Sequence, residues 1–186
     1  HRSAGSLGDV LRLAIPPRHA AAERALAPDP SEPSPSPSPA DPSSPPPAAD
    51  RDAGYADHVG GPALLARLRA GESPSAALLT VPAIGTGTPW PQLLVEAAAA
   101  TLDSGRGVII VVPDARDVAR VEQGVLDRWG RGHHTRLTAD QGPQARYTAW
   151  LKVARSHVRL VVGTRAAVYS PVSDLGLIVW WDDGDE

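Results

Sequence analysis

The chain has 186 residues, a formal net charge of -3 and an apolar share of 42%. That is enough for one domain with a real core, and so little net charge means that any nucleic-acid contact must come from a local patch. It contains no Cys, which excludes disulfides and zinc–thiolate sites within it and suits a reducing cytoplasm. No apolar run approaches the roughly 20 residues that span a bilayer, and no secretory signal peptide is visible. The sequence begins at His1, holds no Met and stops directly after an acidic cluster, so it reads as a piece of a longer protein.

Ser6 to Leu26 forms a short amphipathic piece, with Leu7, Val10, Leu11 and Ala14 at helical spacing and Pro16-Pro17 ending the pattern. Twenty-odd residues cannot build a core, so 1–26 is expected to be the end of a preceding domain. Ten prolines then fall among the twenty residues 28–47, interleaved with Ser, Ala and Asp. The composition predicts an extended, disordered spacer over 27–57 and a globular part over 58–186.

In the globular part, Gly61-Pro62 precedes a helix over Ala63–Ala70, and Ala76–Val81 is expected to be a strand. The loop Pro82–Pro91 leads to a helix from about Gln92 to Ser104. Val108–Val112 is an uninterrupted apolar strand, and Asp114 caps a helix reaching Trp129, with Val118, Val121, Val125 and Leu126 inward. His134–Thr138 is a weaker strand, Gly142–Arg155 a helix, and Val158–Val162 and Leu175–Trp181 are apolar runs expected as strands buried on both faces. Strand and helix alternate with crossovers of about a dozen residues. The fold class is therefore α/β with a doubly wound parallel sheet of five strands.

In such sheets the carboxyl ends of the strands line the ligand crevice, and three polar clusters stand there. Gly85-Thr86-Gly87-Thr88 follows the first expected strand and precedes a helix N-terminus, where amides and dipole favour an anion. A working phosphate loop has the spacing G-x-x-x-x-G-K-[ST]. Here the Lys is missing, and Pro89 and Pro91 remove amide donors, so a plain strand-to-helix turn fits as well. Asp182-Asp183-Gly184-Asp185-Glu186 follows the last strand. Asp182 could hold magnesium through water and Asp183 could orient an attacking water; a solvated acidic run is the alternative. Gly163-Thr164-Arg165 suits a backbone phosphate of a nucleic acid or a generic capped turn. His133-His134 reads as the polar start of a strand rather than a metal site, and Trp180-Trp181 as one core and one surface aromatic.

With these residues laid out, the globular part resembles the first motor lobe of the primosomal replication-restart helicases, the PriA family of superfamily 2, in particular its divergent actinobacterial form. VVGTRAAVYSPVSDLGLIVWWDDGD is similar to the family's segment from its GTR motif to its D-E-x-H box. GVIIVVPDARDVARV resembles motif Ia, and SLGDVLRLAIPPR resembles the end of the N-terminal DNA-binding domain. The resemblance covers residues 1–26 and about 58–186. It implies a RecA-like first helicase lobe, replication restart at stalled or branched forks, and ATP hydrolysis coupled to 3'-5' unwinding, with ATP and Mg2+ as cofactors. It implies as partners forked or branched DNA with single-strand/double-strand junctions, other primosome proteins and single-stranded DNA-binding protein, with no membrane and a cytoplasmic location. Zinc-binding cysteines and a second lobe would lie beyond Glu186.

Carried over residue by residue, the resemblance makes Asp182 the magnesium aspartate and puts Asp183 where the family has its catalytic Glu. Gly85, Gly87 and Thr88 fall on the remnant of the phosphate loop, and Gly163, Thr164 and Arg165 on the DNA-facing or motor-coupling motif. The chain departs from the family pattern at the missing Lys, at Asp183 for Glu and at Asp185 for His. Losing the Lys removes several kcal/mol of transition-state stabilisation. An alternative reading is thus a catalytically silent DNA-binding and assembly module; a further one is an unrelated α/β nucleotide-binding domain.

Overall fold

The computed structural model describes residues 14–26, 52–80 and 88–182. The described helices are α1 (Ala20–Ala25), α2 (Ala53–Ala56), α3 (Gly61–Arg69), α4 (Trp90–Asp103), α5 (Ala115–Trp129) and α6 (Pro143–Ala154). The strands are β1 (Gly107–Val111), β2 (His134–Leu137), β3 (Leu160–Gly163) and β4 (Leu175–Trp180), and a 3-10 turn spans Arg165–Tyr169. The sheet runs β2-β3-β1-β4, and every neighbouring pair is parallel. The α/β class follows from apolar strands alternating with amphipathic helices, as the sequence predicts.

Helices cover both faces of the sheet. On one face Leu94, Val95 and Ala98 of α4 and Val118, Val121 and Val125 of α5 pack on Val108, Ile110, Leu160 and Val162. On the other, Ala149 and Val153 of α6 and Ala167 of the 3-10 turn cover Ile109, Val111 and Val161. Val118, Val121 and Val125 recur at helical spacing and are fully buried, while Leu126 is half-buried. The Asp114 side chain accepts from the Asp117 amide at 2.9 Å, so α5 starts where a capping carboxylate meets the first free amides. Each buried Val or Leu contributes about 1.5–3 kcal/mol of transfer free energy.

The central helix α4 is buried over Leu93–Thr101, because α3 lies on its far side. Leu65 and Leu68 of α3 meet Leu93, Ala97 and Ala100 there, together with Tyr55 of α2. Residues 52–56, within the stretch 27–57 expected as spacer, thus hold a helix with Tyr55 buried. Residues 27–51 lie outside the described residues.

Two expectations about strands are corrected. Ala76–Thr80 forms no strand; the stretch 72–80 has no regular structure, and Leu79 is 94% exposed. A strand needs a partner backbone, and among the described residues this stretch pairs with none: a trench lies between it and β4, so the described sheet has four strands rather than five. Nor is the last strand buried on both faces. β4 pairs on one side with β1, no strand among the described residues pairs with its outer edge, and Ile178 and Trp180 are 48% and 56% exposed. An apolar run cannot distinguish a central strand from an edge strand whose neighbour is missing.

Candidate functional site

All four strands run the same way, so their carboxyl ends share one rim of the sheet. Trp181 donates its amide to the Val111 carbonyl at 2.9 Å, and Val112 donates to the Gly163 carbonyl at 3.0 Å. Those two bonds set the ends of β4, β1 and β3 in one row. Asp182 is exposed at the end of β4, and Thr164-Arg165 stands at the end of β3. The polar clusters expected at the strand ends therefore share a rim, as far as they are described. Gly85, Gly87, Asp183 and Asp185 lie outside the described residues.

The indole of Trp181 stacks on that of Trp90, with ring centroids 4.4 Å apart and planes 3° from parallel. Trp90 is the first residue of α4, whose N-cap is Pro89 and whose second residue is Pro91. Two prolines withhold two amides, and the stack sets a large apolar surface beside the remaining ones. Thr88 turns its methyl toward α2: a Cβ on Gly54 would meet Thr88 Cγ2 at 2.9 Å. The described start of α4 thus offers few free amides to an anion. Among the described residues there is no group of three His, Asp or Glu side chains able to hold a metal.

Below Thr88 lies a buried carboxylate. Glu96, 2% exposed, accepts from the Gly54 amide at 3.2 and 3.1 Å and from Gln92 Nε2 at 2.8 Å. Burial raises its pKa, opposed by the bonds from Gln92 and Gly54. It ties α2 to the first turns of α4.

Of Gly163-Thr164-Arg165, the glycine is structural. It ends β3 opposite Leu137, and an added Cβ would land on the Leu137 carbonyl oxygen and 2.9 Å from Ala167 Cβ. The Thr164 carbonyl accepts from the Ala167 amide at 2.7 Å, opening the 3-10 turn, and Arg165 is exposed. This leaves the hydroxyl and the guanidinium as the members that can reach a ligand. His134 starts β2 as expected. Its Nε2 lies 3.2 Å from Glu122 of α5, and Glu122 also accepts from Arg136. Burial works to raise the Glu122 pKa, but those bonds outweigh it and the carboxyl sits below its ordinary range.

A trench of about 480 Å³ runs between β4 and the extended stretch Pro74–Leu78, with Leu93 and Ala97 in its floor. Arg106 ties the turn after α3 to β4 by donating to the carbonyls of Gly71, Glu72 and Leu175 at 2.9, 3.1 and 2.9 Å. Sequence reading missed Trp90, Glu96 and Arg106. Trp90 was legible only as part of a loop, and its partner lies 91 residues away in sequence.

These elements define an α/β lobe built on a parallel sheet, consistent with one lobe of a helicase. No protein-family model matches the chain. The particular likeness is to replication restart protein PriA, and it runs the whole length of the chain. The "Probable replication restart protein PriA" of Mycobacterium tuberculosis is 38% identical over 186 residues, all of this chain and 26% of the relative. That of Mycobacterium leprae is 38% identical over 185 residues, and the "Replication restart protein PriA" of Bacillus subtilis is 28% identical over 97 residues, half of this chain. The chain matches a segment of PriA and spans about a quarter of the length of its mycobacterial relatives. No helix of the described residues is long and apolar enough to cross a membrane.

Proposed function

We propose that this chain is part of a replication restart protein and serves there as a DNA-binding and assembly lobe rather than a motor. Likeness to PriA over all 186 residues supports the restart role. The observation that supports the second half is the start of α4, where Pro89 and Pro91 withhold amides beside the stacked Trp90 and no Lys follows Gly85 and Gly87. The turn of half-buried Thr164 and exposed Arg165 offers a hydroxyl and a cation to a DNA backbone. In this reading the full protein binds forked or branched DNA and recruits other primosome components, single-stranded DNA-binding protein among them, without hydrolysing ATP.

Asp182 at the end of β4 favours the second reading, a helicase with unusual motifs in which Asp182 holds Mg2+ through water and Asp183 stands in for the catalytic Glu. DNA-stimulated ATP hydrolysis by the full-length protein separates the two, with Asp182→Ala as control. Equal background rates with intact fork binding support the assembly lobe. Hydrolysis that Asp182→Ala abolishes establishes the motor.

A further inference from the structure

The segment ahead of the proline-rich spacer does not stand apart from the lobe. α1 has only six residues, far below the roughly 12–15 at which an isolated helix becomes marginally stable in water, so its helical form rests on what it packs against. That is α6: Ala22 is 1% exposed and forms one apolar cluster with Tyr147 and Leu151, flanked by Leu26 and Trp150. Polar contacts ring the cluster. Arg18 grips Glu23 with Nε at 2.9 Å and Nη2 at 2.7 Å. The Tyr147 hydroxyl donates to Glu23 at 2.7 Å, and Arg155 donates to the Leu26 carbonyl at 2.7 Å. Further up the segment, Ala14 and Pro16 border a small crevice with Arg146, Trp150, Ala166 and Tyr169. Ala166 directly follows Arg165, so the chain enters this contact beside the Thr164-Arg165 turn.

We propose that residues 14–26 are a strap that seats the N-terminal part of the protein on α6, so that it and the Thr164-Arg165 turn face the same DNA. The DNA half of this inference rests on the assembly reading above. The spacer then serves as a tether whose covalent continuity is dispensable: α6 is a docking face for the protein's own N-terminal part, and the strap supplies the attachment.

The test uses the full-length protein with a protease recognition sequence inserted after Pro35. After cleavage, the wild-type halves are expected to elute together in gel filtration and to keep their affinity for forked DNA within about twofold. Glu23→Arg lies on the strap, outside the lobe, and sets like charges against Arg18 and Arg155. Its cleaved halves are expected to separate, with fork affinity falling at least roughly tenfold as the two modules lose their link. Separation of the wild-type halves overturns the strap, as does co-elution of the Glu23→Arg halves. Equal fork affinity of cleaved wild type and cleaved Glu23→Arg overturns the DNA half alone. Absence of fork binding by the uncut wild type defeats the assembly reading and the DNA half with it, and the elution profile still decides the strap.

Discussion

Trp181 lies flat on Trp90, 4.4 Å between ring centroids, and this pair joins the last strand to the first turn of the central helix. Both rings also pack on the larger core cluster. Replacing either with Ala removes a stacked aromatic and opens a cavity at the rim of the sheet. The expected cost is about 2–4 kcal/mol, read as a lowered denaturation midpoint of the full-length protein. A change within about 0.5 kcal/mol would mean that the stack contributes nothing to holding β4 against α4.

The buried Glu96 makes a pH-dependent prediction. Burial raises its carboxyl above the ordinary value of 4.5, so its contribution to stability is fully present below that value and is lost as pH rises through the raised one. Glu96→Gln keeps an acceptor for Gly54 without the charge. It is expected to match or exceed wild-type stability at neutral pH and to flatten the pH profile in that window. Glu96→Ala leaves the Gly54 amide without its acceptor and costs about 1–3 kcal/mol. Urea unfolding at several pH values reads both, and a Gln variant with an unchanged profile would place the titration elsewhere.

Gly163, Thr164 and Arg165 separate by phenotype. Gly163→Ala drives a methyl into the Leu137 carbonyl, backbone against backbone, and is expected to cost about 3 kcal/mol or more by parting β2 from β3. Arg165→Ala leaves stability within about 0.5 kcal/mol. It is expected to weaken DNA binding equally across sequences and to lower the salt-dependence slope by about 1. Fluorescence anisotropy at a series of salt concentrations measures it; an unchanged slope would remove Arg165 from the phosphate contacts.

The strap makes its own spectroscopic prediction. Hydrogen bonds from Arg18 first, and then from Tyr147, lower the Glu23 carboxyl to about 2. A lowered acid contributes stability above its unfolded value, near 4.5, and loses it as pH falls toward 2, so at neutral pH the contact is at full strength. Arg18, Tyr147 and the more distant Arg155 are the groups that set this titration. A carbon-detected NMR titration of the full protein should find Glu23 near 2 in wild type and shifted toward 4.5 in Arg18→Ala. An ordinary value in wild type would mean that the Arg18 fork does not form.

The sequence carried most of the fold. Val118, Val121 and Val125 declare one face of α5, Asp114 declares its start, and short Val/Ile runs declare the strands, because these signals are local. What it could not show was which strand lacks a neighbour: Leu175–Trp181 has the composition of a central strand, and Ala76–Val81 that of a strand with a partner. Pairing is a relation between distant segments and leaves no mark on either alone. The site divided along the same line. Asp182 and Thr164-Arg165 were legible because they directly follow apolar runs. Trp90 and Glu96 were not, because a tryptophan between two prolines and a glutamate in an alanine-rich helix gain meaning only from Trp181 and Gly54. Nor did the motif distinguish Gly163, which serves packing, from its two neighbours.

The outer edge of β4, which no strand among the described residues pairs with, has a consequence for handling the molecule. Because Trp181 directs its amide to β1, the alternation of a strand turns the amides and carbonyls of Ile178 and Trp180 outward, beside exposed apolar side chains and with no proline or lysine within Leu175–Trp180 to deter pairing. Two copies meeting along that rail would extend each other's sheets. A lobe left uncovered there would self-associate through β4 first, and a single Lys at Ile178 would act as a gatekeeper against it.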